Sequence, residues 1–198
     1  RFMGLENHNG PVLVAGSTHA PEEETIIEAV KRLWKTYPTL VVILVPRHPE
    51  RFDTVAELLE SHDIAFTRSS FANSFETNKN LILLDEMGRL NHAYSVGTIA
   101  FVGGSIADKG GHNALEPAAF SLPILMGPNT YNNPVICQHL IDRGALKIAS
   151  NAEEIVLACG TWLSSQEVRQ KAGNAGSLVL SENSGALHKT LSCLAQSI

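Results

Sequence analysis

Apolar positions in this chain fall into two patterns. Continuous aliphatic and β-branched runs at Pro11 to Ala15, Leu40 to Val45, Leu81 to Leu84, Ile99 to Val102, Pro123 to Met126 and Leu146 to Ala149 read as strands buried on both faces. Ile64 to Phe66 reads as a further short strand. Between the runs lie segments with helical spacing: Pro21 to Tyr37, Glu50 to Ser61, Gly88 to Ser95, Ala114 to Phe120 and Asn133 to Arg143. Pro21 suits the first helical position, and Glu22, Glu23 and Glu24 suit the positive end of the helix dipole. Thr67 to Asn80 is polar and irregular, a loop. From Ala152 onward the pattern is mostly helical, broken near Gly173 to Gly176 and Ser181 to Gly185. Strand–helix alternation predicts an α/β fold: a Rossmann-like parallel sheet with helices on both faces. Ligands of such sheets bind beyond the carboxyl ends of the strands.

Composition narrows the classes. The 198 residues are 44% hydrophobic and 18% charged, ample for a core and consistent with one large domain. The apolar runs are too short to span a bilayer, and no charged-then-apolar leader opens the chain. The chain begins at Arg1 and is read as part of a longer protein, so an anchor outside it stays open. A net charge of −5 argues against a nucleic-acid partner. Cys137, Cys159 and Cys193 are far apart with no CxxC, which fits buried small hydrophobes rather than a zinc site or disulfide framework.

The unusual residues cluster where strands end. After Phe101-Val-Gly-Gly-Ser105 a short loop leads into Gly110-Gly-His-Asn-Ala-Leu-Glu-Pro117. Glycines let backbone N–H groups approach a ligand, and a helix start adds partial positive charge, so Gly104, Ser105, Gly110 and Gly111 fit a phosphate. His112 can donate to a phosphate oxygen, and Glu116 can accept from sugar hydroxyls. Asn113 and Glu116 also fit a capping box, which accounts for both without a ligand. The doubled glycines favour function, because capping does not need them. No dinucleotide or P-loop fingerprint is present. Ser17 and Thr18 follow the first strand, where N-capping explains them equally well. Arg47 and His48 follow the second within Pro46-Arg-His-Pro49, and arginine's planar fork suits phosphate or carboxylate. Arg51 is expected on the surface of the next helix. Asn132 and Asn133 lie past the strand ending at Met126, where loop formation alone explains most of the segment.

Together these segments resemble the C-terminal domain of Kdo transferases, which move 3-deoxy-manno-octulosonic acid (Kdo) from CMP-Kdo to lipid A precursors. The resemblance rests on Ala-Gly-Ser-Thr-His at 15 to 19 with Glu22-Glu23, Pro-Arg-His-Pro-Glu-Arg-Phe at 46 to 52, Phe-Val-Gly-Gly-Ser at 101 to 105, Gly-Gly-His-Asn-Ala-Leu-Glu-Pro-Ala-Ala at 110 to 119, and Met-Gly-Pro with Tyr-Asn-Asn at 126 to 133. In that family a glycine often stands at the place of Pro21 and an aromatic at that of Asn133.

The resemblance implies the C-terminal, sugar-donor half of a two-domain, inverting GT-B glycosyltransferase. The chain has no Asp-x-Asp metal motif, and one phosphate can be neutralised by helix starts and Arg47, so no metal or other cofactor is expected. It implies that the acceptor site, the catalytic base and a membrane-association segment lie in an N-terminal domain outside this chain. This half alone is then inactive, and no residue in it is catalytic. It implies that Ser17, Thr18, Ser105 and the Gly110-Gly111 backbone, beside Gly104, cradle the phosphate or the Kdo carboxylate. Arg47, with His48 next to it, pairs with an anion; His112 and Asn113 contact phosphate or sugar; Glu116 binds ribose; Asn132 and Asn133 are weaker candidates. The partners implied are CMP-Kdo, a lipid A precursor and the N-terminal domain, at the cytoplasmic face of the bacterial inner membrane. Two rivals remain: half of a sugar-nucleotide epimerase, and a non-catalytic nucleotide-binding module.

Overall fold

The computed structural model describes residues 4–5, 8–71 and 79–195, with side chains as far as 183. Seven strands form one sheet: β1 (Val12–Thr18), β2 (Val41–Pro46), β3 (Phe66–Arg68), β4 (Leu81–Leu83), β5 (Ile99–Val102), β6 (Ile124–Met126) and β7 (Leu146–Ile148). All neighbours are parallel, in the order β3-β4-β2-β1-β5-β6-β7. The helices are α1 (Glu22–Thr36), α2 (Phe52–Ser61), α3 (Leu90–Ser95), α4 (Leu115–Ala118), α5 (Pro134–Asp142), α6 (Ala152–Ser164) and α7 (Gln166–Ala195), and a 3-10 turn at Pro49–Arg51 precedes α2.

Side-chain alternation along each strand divides the core between the two faces. Leu13, Ala15, Val42, Leu44, Phe101 and Leu125 pack with Ile26, Ile27, Leu59 and Trp162 of α1, α2 and α6. Val12, Val14, Ile43 and Ala100 pack under Tyr94 of α3, while Val102, Ile124 and Met126 pack with Ala118, Leu140 and Val179 of α4, α5 and α7. Strand order reverses between β1 and β5, where the open crevice of a doubly wound sheet forms.

Several boundaries depart from expectation. Pro21 occupies the N-cap of α1 rather than its first turn. The short strand lies at Phe66–Arg68 instead of Ile64 to Phe66, because those are the residues that align with Leu81 to Leu83. Of the loop expected from Thr67 to Asn80, residues 72–78 lie outside those described. α7 runs unbroken through both expected interruptions. Gly173 is there for contact: a Cβ at this position would lie 1.8 Å from the Ser121 carbonyl oxygen, so the glycine lets α7 press against the turn after α4. Cys137 and Cys159 are free and buried, as expected, and the side chain of Cys193 lies outside those described.

The carboxylate of Glu22 joins the β1–α1 turn to the loop after β5. Glu22 is fully buried. The N–H groups of Gly104, Ser105, Ile106 and Ala107 donate to it at 2.8, 2.8, 2.8 and 3.2 Å, and that of His19 at 2.9 Å. Next to it, buried Glu23 receives both terminal nitrogens of Arg51 at 2.6 and 3.1 Å. Arg51 is therefore no free surface residue: its guanidinium reaches back across the turn after β2, and Glu23 holds its pKa above the usual arginine value.

These contacts set two expected outcomes, both read as thermal melting of the chain. Gly173→Ala drives a methyl into backbone and is destabilising by about 1–3 kcal/mol. Gly160→Ala, in α6 where a Cβ would meet nothing within 4 Å, is stabilising by roughly 0.5–1 kcal/mol. Equal effects at the two sites would refute the packing role of Gly173. Glu22→Gln keeps the shape but turns an amide donor on backbone donors, and costs about 3 kcal/mol or more. Glu24→Gln, on the exposed side of α1, changes stability by less than about 0.5 kcal/mol. A native-like melting temperature for Glu22→Gln would show that the carboxylate is dispensable.

Candidate functional site

A cavity of about 350 Å³ opens at the carboxyl ends of the central strands. One wall is Ser17 near the end of β1 with Val45, Pro46 and Arg47 at the end of β2; the other is His112, Asn113 and Glu116 from the loop and helix after β5. Glu86, Met87, Gly88 and Leu90, after β4, close the third side.

Local geometry explains these positions. Pairing of β1 with β2 shifts register between Gly16 and Thr18, so Ser17 bulges out with φ 55° and its side chain faces the cavity. Such a backbone costs a non-glycine residue about 1 kcal/mol or more and is held here by its surroundings. Gly104 has φ 69°, and a Cβ on it would lie 2.9 Å from the His112 ring, so glycine is required for the loop to fold back under that histidine. The N–H groups of Gly111 and His112 then donate to the carbonyls of Gly104 and Gly103, closing the loop.

The sequence-derived candidates divide into two groups. Ser17, Arg47, His112, Asn113 and Glu116 converge on the cavity. Thr18, His48, Gly104, Ser105, Gly110, Gly111, Asn132 and Asn133 do not line it. The N–H groups of Gly104 and Ser105, expected to cradle a phosphate, are occupied by Glu22. Ser105 is fully buried; its hydroxyl donates to the Val102 carbonyl at 2.6 Å and accepts from the Gly127 N–H at 2.8 Å. Thr18 is equally buried, and its hydroxyl has no hydrogen-bond partner. The side-chain amide of Asn132 donates to the carbonyls of Lys109 and Gly111, tying down the double glycine. Asn133 stands at the N-cap of α5 without a side-chain cap bond.

The expected capping box does not form. α4 starts only at Leu115, so Asn113 accepts from the Leu115 N–H at 3.0 Å, and the Glu116 carboxylate is left to the cavity. The cavity residues after β4 were not anticipated. The strand-end rule, applied to β4 as it was to β1, β2 and β5, would have found them.

Three imidazoles gather beside the cavity. Nε2 of His19 lies 2.8 Å from Nε2 of His112, with rings nearly parallel and centroids 5.1 Å apart. His48 meets His19 edge-on at 5.2 Å. Burial, then the proximity of His112 and His48, pushes His19 down to about 4 against the opposing pull of Glu23. Burial, with Arg47 and His48 nearby, lowers His112 as well. Arg47 is exposed and has no ion-pair partner among the described residues, in contrast to Arg51. Among the described residues no three His, Cys, Asp or Glu side chains are grouped so as to hold a metal ion, and no helix is long and apolar enough to cross a membrane. The arrangement supplies one free guanidinium, imidazole donors, a hydroxyl and a carboxylate around one cavity, a set suited to an anion that also carries hydroxyls.

No protein-family model matches the chain. Over 191 residues it is 44% identical to the 3-deoxy-D-manno-octulosonic acid transferase of Haemophilus influenzae, an alignment covering 96% of this chain and 45% of that protein. The chain thus spans less than half the length of this relative. The crystal structure of the C-terminal CMP-Kdo binding domain of WaaA from Acinetobacter baumannii is similar at 36% identity and a TM-score of 0.83, over 90% of this chain and 92% of that one. Two more distant structures share the fold alone. The C-terminal domain of the glycosyl transferase group 1 family protein LpcC from Francisella tularensis is 14% identical with a TM-score of 0.61 over 92% of each chain. The UDP-GlcNAc 2-epimerase from Neisseria meningitidis is 16% identical with a TM-score of 0.56, over 89% of this chain and 44% of that one. The sheet is that of the C-terminal half of a GT-B glycosyltransferase, and the chain belongs to the 3-deoxy-D-manno-octulosonic acid transferase family as a counterpart of its C-terminal domain.

Proposed function

We propose that this chain is the sugar-donor half of a Kdo transferase and binds CMP-Kdo in the cavity between β1, β2, β4 and β5. The supporting observation is the meeting of Ser17, Arg47, His112, Asn113 and Glu116 around one cavity, in a chain 36% identical to a CMP-Kdo binding domain over 92% of its length. Arg47 and His112 take the phosphate or the Kdo carboxylate. Ser17 and Asn113 add hydrogen bonds, and Glu116 accepts from ribose hydroxyls. When the sugar leaves, CMP gains negative charge, and donors already aimed at that charge lower the barrier.

The transfer itself is the work of the whole protein. A base must take the acceptor's hydroxyl proton from the face opposite the departing CMP. We assign that base, the lipid A precursor site and the contact with the bacterial inner membrane to an N-terminal domain outside this chain. A single phosphate diester needs no divalent cation where a guanidinium and imidazoles supply the positive charge. An epimerase half would use UDP rather than CMP, and its likeness to this chain extends to fold alone.

Calorimetric titration of the chain with CMP, with and without chelator, tests the reading. Equal binding in both conditions and weaker binding of UMP are expected; a strict magnesium requirement or a preference for UMP would overturn it. Glu116→Gln weakens CMP by roughly 1–3 kcal/mol with an unchanged melting temperature, since a hydrogen bond to a charged acceptor is lost at the cavity surface. Unchanged affinity would remove Glu116 from the ribose contact.

Arg47→Lys keeps the charge but loses the planar fork. A drop in CMP-Kdo affinity of about tenfold is expected, on the order of 1.4 kcal/mol. Equal affinity in the two proteins would place Arg47 outside the anion contact.

A further inference from the structure

We infer that His19 and His112 act as one proton-sharing unit that becomes charged when an anion enters the cavity, with His112 touching the anion and His19 positioning it from behind. This rests on the reading of the cavity as a nucleotide-phosphate site.

The geometry restricts the unit to few states. The two Nε2 atoms are 2.8 Å apart, so a single hydrogen lies between them: one ring donates and the other accepts. A doubly protonated pair would set two N–H groups head to head and is excluded, leaving a neutral pair or a pair with one extra proton. His112 lines the cavity; His19 does not. With Nε2 of His112 engaged by His19, Nδ1 is the ring nitrogen left for a ligand. An anion is accepted there only if Nδ1 carries hydrogen, which makes Nε2 of His112 the acceptor and Nε2 of His19 the donor. His19 thereby fixes the tautomer of its neighbour. An extra proton drawn in by the anion then goes to Nδ1 of His19, on the ring that feels the negative charge of Glu23.

Charged and titratable neighbours approach from every packed element. Arg47 and His48 come from the end of β2, Arg51 from the 3-10 turn, Glu22 and Glu23 from α1, Glu116 from α4 across the cavity, and Glu86, paired with Arg89, from the segment after β4. Before a ligand binds, burial and the nearby cationic groups hold both imidazoles below their ordinary value, His19 at about 4, so the pair is neutral near pH 7. An anion beside His112 opposes those causes and raises the pKa of the pair. Between the free and bound values, binding takes up a proton, and affinity falls as pH rises, by up to about tenfold per pH unit. Above the bound value affinity levels off.

The experiment is calorimetric titration of the 198-residue chain with CMP and with cytidine, in two buffers of different ionisation heat. At about pH 6.5 the expected uptake is a measurable fraction of one proton per CMP, growing as the pH is lowered, and none for cytidine, which lacks the phosphate. His19→Gln can still hydrogen-bond His112 but cannot be charged, so it binds CMP more weakly and with reduced uptake. His112→Gln loses both the uptake and the phosphate's preference over cytidine. Melting curves establish that both variants are folded, and a purely structural role would lower melting without changing the proton count. CMP binding with no uptake in the native chain, or with uptake unchanged in both variants because the phosphate itself takes the proton, would overturn the inference while leaving the sugar-donor site standing. Equal uptake with cytidine would also overturn it. No CMP binding at all would remove the site reading, and this inference with it.

Discussion

The buried Glu22 carboxylate is the contact on which the site's architecture depends. Four consecutive N–H groups, from Gly104 to Ala107, converge on it from the loop after β5, and a fifth comes from His19. Removing a carboxylate from water costs several kcal/mol, and bonds of this charge-assisted kind offset the cost only when all are made together. The start of α1 adds a favourable dipole. The β1–α1 turn and the β5 loop are therefore fixed to each other at the point where the sheet reverses its order. Ser17, His19 and His112 take their places from these two segments.

This contact changes how positive charge reaches a ligand. In many nucleotide-binding folds a glycine-rich loop and a helix start offer their backbone N–H groups to phosphate. Here a protein carboxylate holds that position permanently. Glu23 in turn neutralises Arg51, leaving Arg47 at the cavity without an ion-pair partner among the described residues. In the proposed donor site, anion recognition would thus fall to side chains: one exposed arginine and the imidazoles beside it.

The sheet was largely legible because parallel strands buried on both faces leave continuous apolar runs, as in Leu40 to Val45 and Ile99 to Val102. The strand-end rule correctly picked Ser17, Arg47, His112, Asn113 and Glu116 for the cavity. What sequence did not reveal is which polar groups are already satisfied. Glu22, Glu23 and Glu24 look alike at a helix start, and only the fold decides that two are buried and one exposed. Four of the five donors to Glu22 lie more than eighty residues away, a separation to which local patterns are blind. Gly173 looks like a helix breaker for the same reason, since its function is a contact with Ser121. Ser105 and Gly104 were read as ligand contacts because a glycine loop looks the same whether its N–H groups point at a phosphate or at a carboxylate of the same chain.

Separation of the two roles has a physical consequence for binding. Groups that hold the fold, Glu22, Glu23 and Ser105 among them, are buried and bonded within the chain, so they contribute a fixed shape rather than ligand contacts. Groups that face the cavity are partly exposed, and most of them carry no structural bond that a ligand would have to break. A ligand therefore does not compete with the fold for its contacts. Its affinity is set by how far Arg47 and the histidines are screened by water, and by how much of the cavity is closed off. Coulomb attraction in water is weak and strengthens severalfold as the local dielectric falls. A cavity open on one side is thus a modest anion site alone, and covering it would strengthen each of these interactions without adding a contact. In the proposed two-domain transferase, closure of a cleft would supply that cover and would couple tight hold on the nucleotide sugar to the presence of the opposite wall.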